Sequence, residues 1–96
     1  MTSGMATLEQ LLELSEEMFG AAARGDWESL ASKEAERRAL ADDLPDSLAD
    51  NLAPAAQASA RTLIEKCLRC DASIVPLVES RLDELRVFLR ATPPGV

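Results

Sequence analysis

The stretch Ala21-Ala22-Ala23-Arg24-Gly25-Asp26-Trp27-Glu28-Ser29-Leu30 decides how the chain is organised. Three alanines and an arginine continue a helix, Gly25 takes the left-handed conformation that ends it, and Asp26 is a good N-cap for the next. A tight helical hairpin follows. Working back from the turn, Leu8, Leu11, Leu12, Ser15, Met18, Phe19 and Ala22 fall on one helical face, and Glu9, Glu13 and Glu16 point away. Thr7-Leu8-Glu9-Gln10 has the spacing of a capping box, so the first helix is expected over about 7–24. Gly20 inside it weakens the helix by about 1 kcal/mol against Ala unless a neighbouring helix packs closely there.

Working forward, the second helix is expected over about 27–44, because Pro45 disfavours helical geometry in the residue before it. Its stripe is Trp27, Leu30, Ala31, Glu34, Arg38, Ala41 and Leu44. Residues 45–55 hold Asp46, Ser47, Asp50, Asn51 and Pro54 and read as a connector, with room for one helical turn around 47–52. The helical period resumes over about 56–90 without a glycine, with Pro76 as a kink point. Apolar residues there spread over more than one face, so this third helix is expected to meet more than one neighbour. The tail, residues 91–96, is rich in breakers and is expected to be disordered. The fold class is all-α: a two-helix hairpin plus one long third helix in a small antiparallel bundle.

Composition narrows the function. At 96 residues with net charge −7 and no His, the chain offers one domain and almost no metal or proton-shuttle ligands. An acidic surface repels a phosphate backbone, so no nucleic-acid partner is expected. No window reaches the roughly 20 apolar residues of a membrane span, and no signal peptide is visible, so the expected place is the cytoplasm, with reduced thiols. No catalytic residue and no cofactor or metal site is expected. Cys67-Leu68-Arg69-Cys70 lies inside a helix without the strand context of a redox motif, so its cysteines read as buried small hydrophobes. A redox sensor remains a third alternative.

Lengths supply the positive argument. The first two helices are each about 27 Å long and the third about 53 Å at roughly 1.5 Å per residue. Antiparallel packing therefore places the Gly25 turn near Pro76 and leaves the second half of the third helix uncovered, unless the chain folds back at Pro76 into a fourth helix. The uncovered stripe, Ile74, Val78, Leu82, Leu85 and Leu89, is the expected docking surface for a client helix or a second copy. Trp27 is expected to pack on Phe19 and Ala23 across the turn. Glu34 and Arg38, at ion-pair spacing with Arg37 in reach, and Asp71 on the third helix form the expected polar seam.

Leu11-Leu12-Glu13-Leu14-Ser15-Glu16-Glu17-Met18 and the Gly25-Asp26-Trp27 turn resemble the FliT family of flagellar export chaperones. So do Glu34-Ala35-Glu36-Arg37-Arg38, Ile64 to Ile74 and Leu82-Asp83-Glu84-Leu85. The resemblance implies a cytoplasmic chaperone that binds the C-terminal segment of the filament-cap protein and delivers it to the type III export apparatus. Some relatives also bind export-ATPase components or restrain an activator of flagellar genes, so a regulator of transcription or a general helical adaptor is the alternative. The chain ends in Pro93-Pro94-Gly95-Val96 without the C-terminal helix that covers the client site in longer members, so autoinhibition by that helix is not expected.

Overall fold

The computed structural model describes residues 4–44 and 52–91, and these form three helices. They are α1 (Gly4–Arg24), α2 (Trp27–Asp42) and α3 (Pro54–Ala91). The molecule is an elongated body of 62 × 21 × 20 Å. The connector and the tail expected from sequence lie, for residues 45–51 and 92–96, outside the described residues.

The turn between α1 and α2 is built as its sequence dictates. Gly25 has φ 73°, its N–H donates to the Ala22 carbonyl at 3.1 Å, and the Asp26 N–H reaches back to the Ala21 carbonyl at 2.9 Å. These are the two bonds of a Schellman motif, which satisfies the last carbonyls of α1. Asp26 then caps α2: its carboxylate accepts from the Ser29 N–H at 3.1 Å and from the Ser29 hydroxyl at 2.7 Å. Those bonds hold the Asp26 carboxyl below the ordinary carboxylate range.

Three helix ends differ from the sequence reading. α1 starts at Gly4, not at Thr7, because Met5 packs onto the cluster of Leu8, Leu11 and Ala60 and Thr7 is itself buried. α2 ends at Asp42, two residues early, where Asp43 and Leu44 turn to tighter bonds onto the Leu40 and Ala41 carbonyls. α3 starts at Pro54, since proline at the first helical position lacks only an N–H that has no intrahelical acceptor there. Through Pro76 α3 continues as one helix, so the chain does not fold back. Pro76 is exposed, which leaves the carbonyl it frees on the solvent side.

α1 is the middle of the structure. Both α2 and α3 pack along it, α2 antiparallel to it and α3 parallel, and the two flanking helices have far less contact with each other. One core cluster joins Leu8 and Leu11 to Ala60, with Leu40, Leu44 and Leu63 against it. The other joins Met18 and Ala22 to Ile74, with Trp27, Leu30 and Leu77 against it. Trp27 thus anchors on Met18, Ala22 and Ile74, whereas Phe19 and Ala23, its expected neighbours, are exposed. Gly20 is approached by no neighbouring helix: a Cβ there would meet the Arg24 guanidinium at 3.2 Å.

The left-handed Gly25 sets the fold's only described reversal between α1 and α2. Gly25→Ala is expected to lower stability by about 1–2 kcal/mol, the cost of a Cβ in that conformation. Urea denaturation measures it, and an unchanged midpoint would contradict this account of the turn.

Candidate functional site: an open groove between α2 and α3

Because α1 carries a helix on each side, α2 and α3 leave a groove between them with α1 as its floor. Leu8, Leu11 and Ser15 form the floor, Arg37, Ala41 and Leu44 one wall, and Ile64, Cys67, Leu68 and Asp71 the other, around a volume of about 270 Å³. The lining is almost wholly apolar, and Ile64 and Leu68 are exposed. A larger hollow, about 490 Å³, lies between α1 and α2 on a face lined without α3, but Glu13, Glu17 and Glu36 rim it and only Leu14, Ala39 and Leu40 make it apolar.

A polar chain with one residue from each helix crosses the groove. The Ser15 hydroxyl, fully buried, donates to the Leu11 carbonyl at 2.8 Å and accepts from Arg37 Nη1 at 3.1 Å. The same Nη1 donates to Asp71 Oδ1 at 2.5 Å. Burying the Ser15 oxygen costs little because the hydroxyl both donates and accepts. The Arg37–Asp71 pair is partly exposed, so its attraction is moderated by solvent.

The residues singled out from sequence fall into distinct places. Glu34 and Arg38 pair with each other at 2.5 Å on the exposed outside of α2, and they do not join the polar chain; Arg37 does. Ile74 is core, 7% exposed against Met18 and Ala22, and is withdrawn from the docking stripe. Val78 is half-buried against that cluster. Leu82, Leu85 and Leu89 are exposed on the far part of α3. The Gly25 turn lies beside Leu77, next to Pro76 as expected, and Ser80, Arg81 and Glu84 border the same hollow, so α3 runs on beyond the hairpin from about Leu85.

Sequence reasoning missed Ser15 and Arg37 as a pair and the Ile64–Leu68 wall. The signal was present: including Leu40 in the α2 stripe turns its inward face to Leu30, Lys33, Arg37, Leu40 and Leu44, all at least half-buried. Cys67 lines the groove, and Cys70 is also half-buried; burial pushes both thiols up, so neither is poised as a nucleophile near neutral pH.

A three-helix scaffold with one bundle position open leaves a seat of the size and shape that a further helix fills. The family model for the flagellar protein FliT matches residues 5–93, and the chain belongs to that family, a family of flagellar export chaperones. Comparison with curated proteins and with solved structures gives no match. Among the described residues no helix is long and apolar enough to cross a membrane.

The three-helix polar chain yields a measurable coupling. Arg37→Ala, Asp71→Ala and the double variant should give a coupling free energy of about 1 kcal/mol in a double-mutant cycle, smaller at high salt. Additive losses in thermal denaturation at low salt would show that the pair contributes nothing.

Proposed function

We propose that the chain is a cytoplasmic chaperone that receives one amphipathic helix, the C-terminal segment of the filament-cap protein, in the groove between α2 and α3. The observation that carries this reading is the groove itself. A helix laid there completes a four-helix bundle, covers the exposed Ile64 and Leu68 above a floor of Leu8 and Leu11, and hides the client's own apolar face. Such a face left bare is an assembly or aggregation hazard, and shielding it before export is what a chaperone of this class contributes. Delivery to the export apparatus then requires a complex that forms reversibly, which suits a short groove with few polar contacts.

The docking position moves from the one expected in the sequence. Leu82, Leu85 and Leu89 stand on a single helix, whereas Ile64 and Leu68 face a second wall at Ala41 and Leu44. A helix with apolar residues three and four apart is held on two sides only in the upper groove. No chemistry is required of the chain, and the Arg37–Asp71 pair acts as the groove's polar landmark, fixing the register of whatever enters.

The test is titration of the protein with a peptide from the C-terminus of the filament-cap protein, followed by calorimetry. Leu68→Asp is expected to weaken binding at least tenfold, since one buried apolar side chain is worth about 1.5–3 kcal/mol. Arg90→Ala, remote from the groove on the end of α3, should leave it unchanged. A peptide that binds Leu68→Asp as tightly as the parent, or that does not bind the parent, would sink this reading.

A further inference from the structure

The groove is built in levels, and their order states what an entering helix has to carry. Arg37 of α2 bonds to Ser15 of α1 and to Asp71 of α3, which puts these residues at one level. Because α2 runs antiparallel to α1 and α3 parallel to it, each further turn brings up one lining residue from every helix. Leu11, Ala41 and Leu68 come next, then Leu8, Leu44 and Ile64. Each level holds one side chain from each helix and has room for a fourth. The two outer levels are wholly apolar, and the first is polar.

At the polar level, Nη1 is the guanidinium nitrogen engaged among the described residues and Oδ1 the engaged carboxylate oxygen. The Arg37 side chain is 24% exposed, that of Asp71 is 41% exposed, and both line the groove. Spare N–H donors therefore stand on one wall and a spare acceptor oxygen on the other. Water can serve them while the groove is open, but a helix laid over it displaces that water and has to replace its bonds. The backbone groups inside such a helix are already paired with each other, which leaves its side chains. A carboxylate there would attract Arg37 and repel Asp71, and a cationic side chain would do the reverse. An apolar side chain would satisfy neither wall. A side-chain amide accepts with its oxygen, donates with its nitrogen, and adds no charge to a pair that is already neutral.

We infer that the helix received in this groove carries an asparagine or glutamine on its apolar face, seated against Arg37 and Asp71, with apolar residues one and two turns away, an inference that rests on the client reading and names what the client presents. The first apolar residue faces Ala41 and Leu68, and the second faces Leu44 and Ile64. The amide also sets the register. A slip of one turn would put it against Ala41 and Leu68 and set an apolar side chain over the open donors and acceptor, and both changes are unfavourable. Selection then comes from the penalty on a wrong helix as much as from the contacts of the right one.

The test is calorimetric titration of the full chain, at neutral pH, with a peptide from the C-terminus of the filament-cap protein in three forms. One is native, one has the amide of that apolar face replaced by leucine, and one has it replaced by the matching carboxylate. The protein is untouched by these changes, and each is expected to weaken binding about tenfold. Asp71→Asn keeps an acceptor for Arg37 but removes the like charge, so this variant is expected to bind the carboxylate peptide more tightly than the native one. A purely structural role for Asp71 would not reverse that order. Equal binding of all three peptides, tight binding of a native peptide without such an amide, or the same order of preference in Asp71→Asn would overturn the inference and leave the client reading standing. A native peptide that does not bind at all would sink the client reading, and the inference with it.

Discussion

One guanidinium holds the three helices in relation to each other. Arg37 of α2 reaches the buried Ser15 hydroxyl of α1 and the Asp71 carboxylate of α3 through the same nitrogen. α2 and α3 otherwise meet mainly near the Gly25 turn, where Trp27 and Leu30 approach Ile74, Leu77 and Val78. Further up, the polar chain keeps the two walls at a fixed separation without closing them. An apolar contact in its place would draw α2 onto α3 and fill the groove, because burial of apolar surface is non-directional and favours collapse. A charged pair of definite length does the opposite: it ties the walls together at arm's length. Ser15 makes this possible by being small, fully buried and able to accept from Arg37 while donating to Leu11.

The fold was legible where backbone chemistry is local. Gly25 and Asp26 are separated from the atoms they bind by three to five residues, so the turn can be read from the residues that make it. Pro76 was correctly read as compatible with a long helix, and the exposed Ala72–Pro76 edge explains why the missing donor is tolerated. The helix ends were less legible. Thr7 and Gln10 have capping-box spacing, yet Met5 gains burial against Leu8, Leu11 and Ala60, and that contact 55 residues away in sequence extends the helix. Packing decided the boundary, and packing is not visible in a window of four residues.

The site was only half legible, for a geometric reason. On α2 the choice between Arg37 and Arg38 is a rotation of about 100°, and the alanines at 31, 35, 39 and 41 give almost no hydrophobic contrast to fix it. The helix buries no residue completely, so its orientation is set by several half-buried contacts and by Lys33 reaching Glu17 at 3.0 Å. On α3 two apolar faces lie side by side. Cys67, Ile74 and Leu77 belong to the one against α1, and Ile64, Leu68 and Val75 to the one facing outward. Breadth of the stripe was read as a sign of more than one neighbour; α1 is the main one, α2 meets α3 through Trp27, Leu30 and Arg37, and Ile64, Leu68 and Val75 stay exposed.

The absence of any fully buried residue on α2 has a consequence for how the molecule moves. A helix that contributes only half-buried side chains to both core clusters is held less firmly than α1, whose Leu8, Leu11, Met18, Ala21 and Ala22 are all interior. Opening free energies follow such differences in burial, and the segment with least interior surface is released first. α1 and α3 stay joined through Ala60 and Ile74, whereas α2 depends on half-buried contacts and on the Arg37 bonds to Ser15 and Asp71. Of the two walls of the groove, the one built by α2 is therefore the more easily released, with Arg37 as its tether.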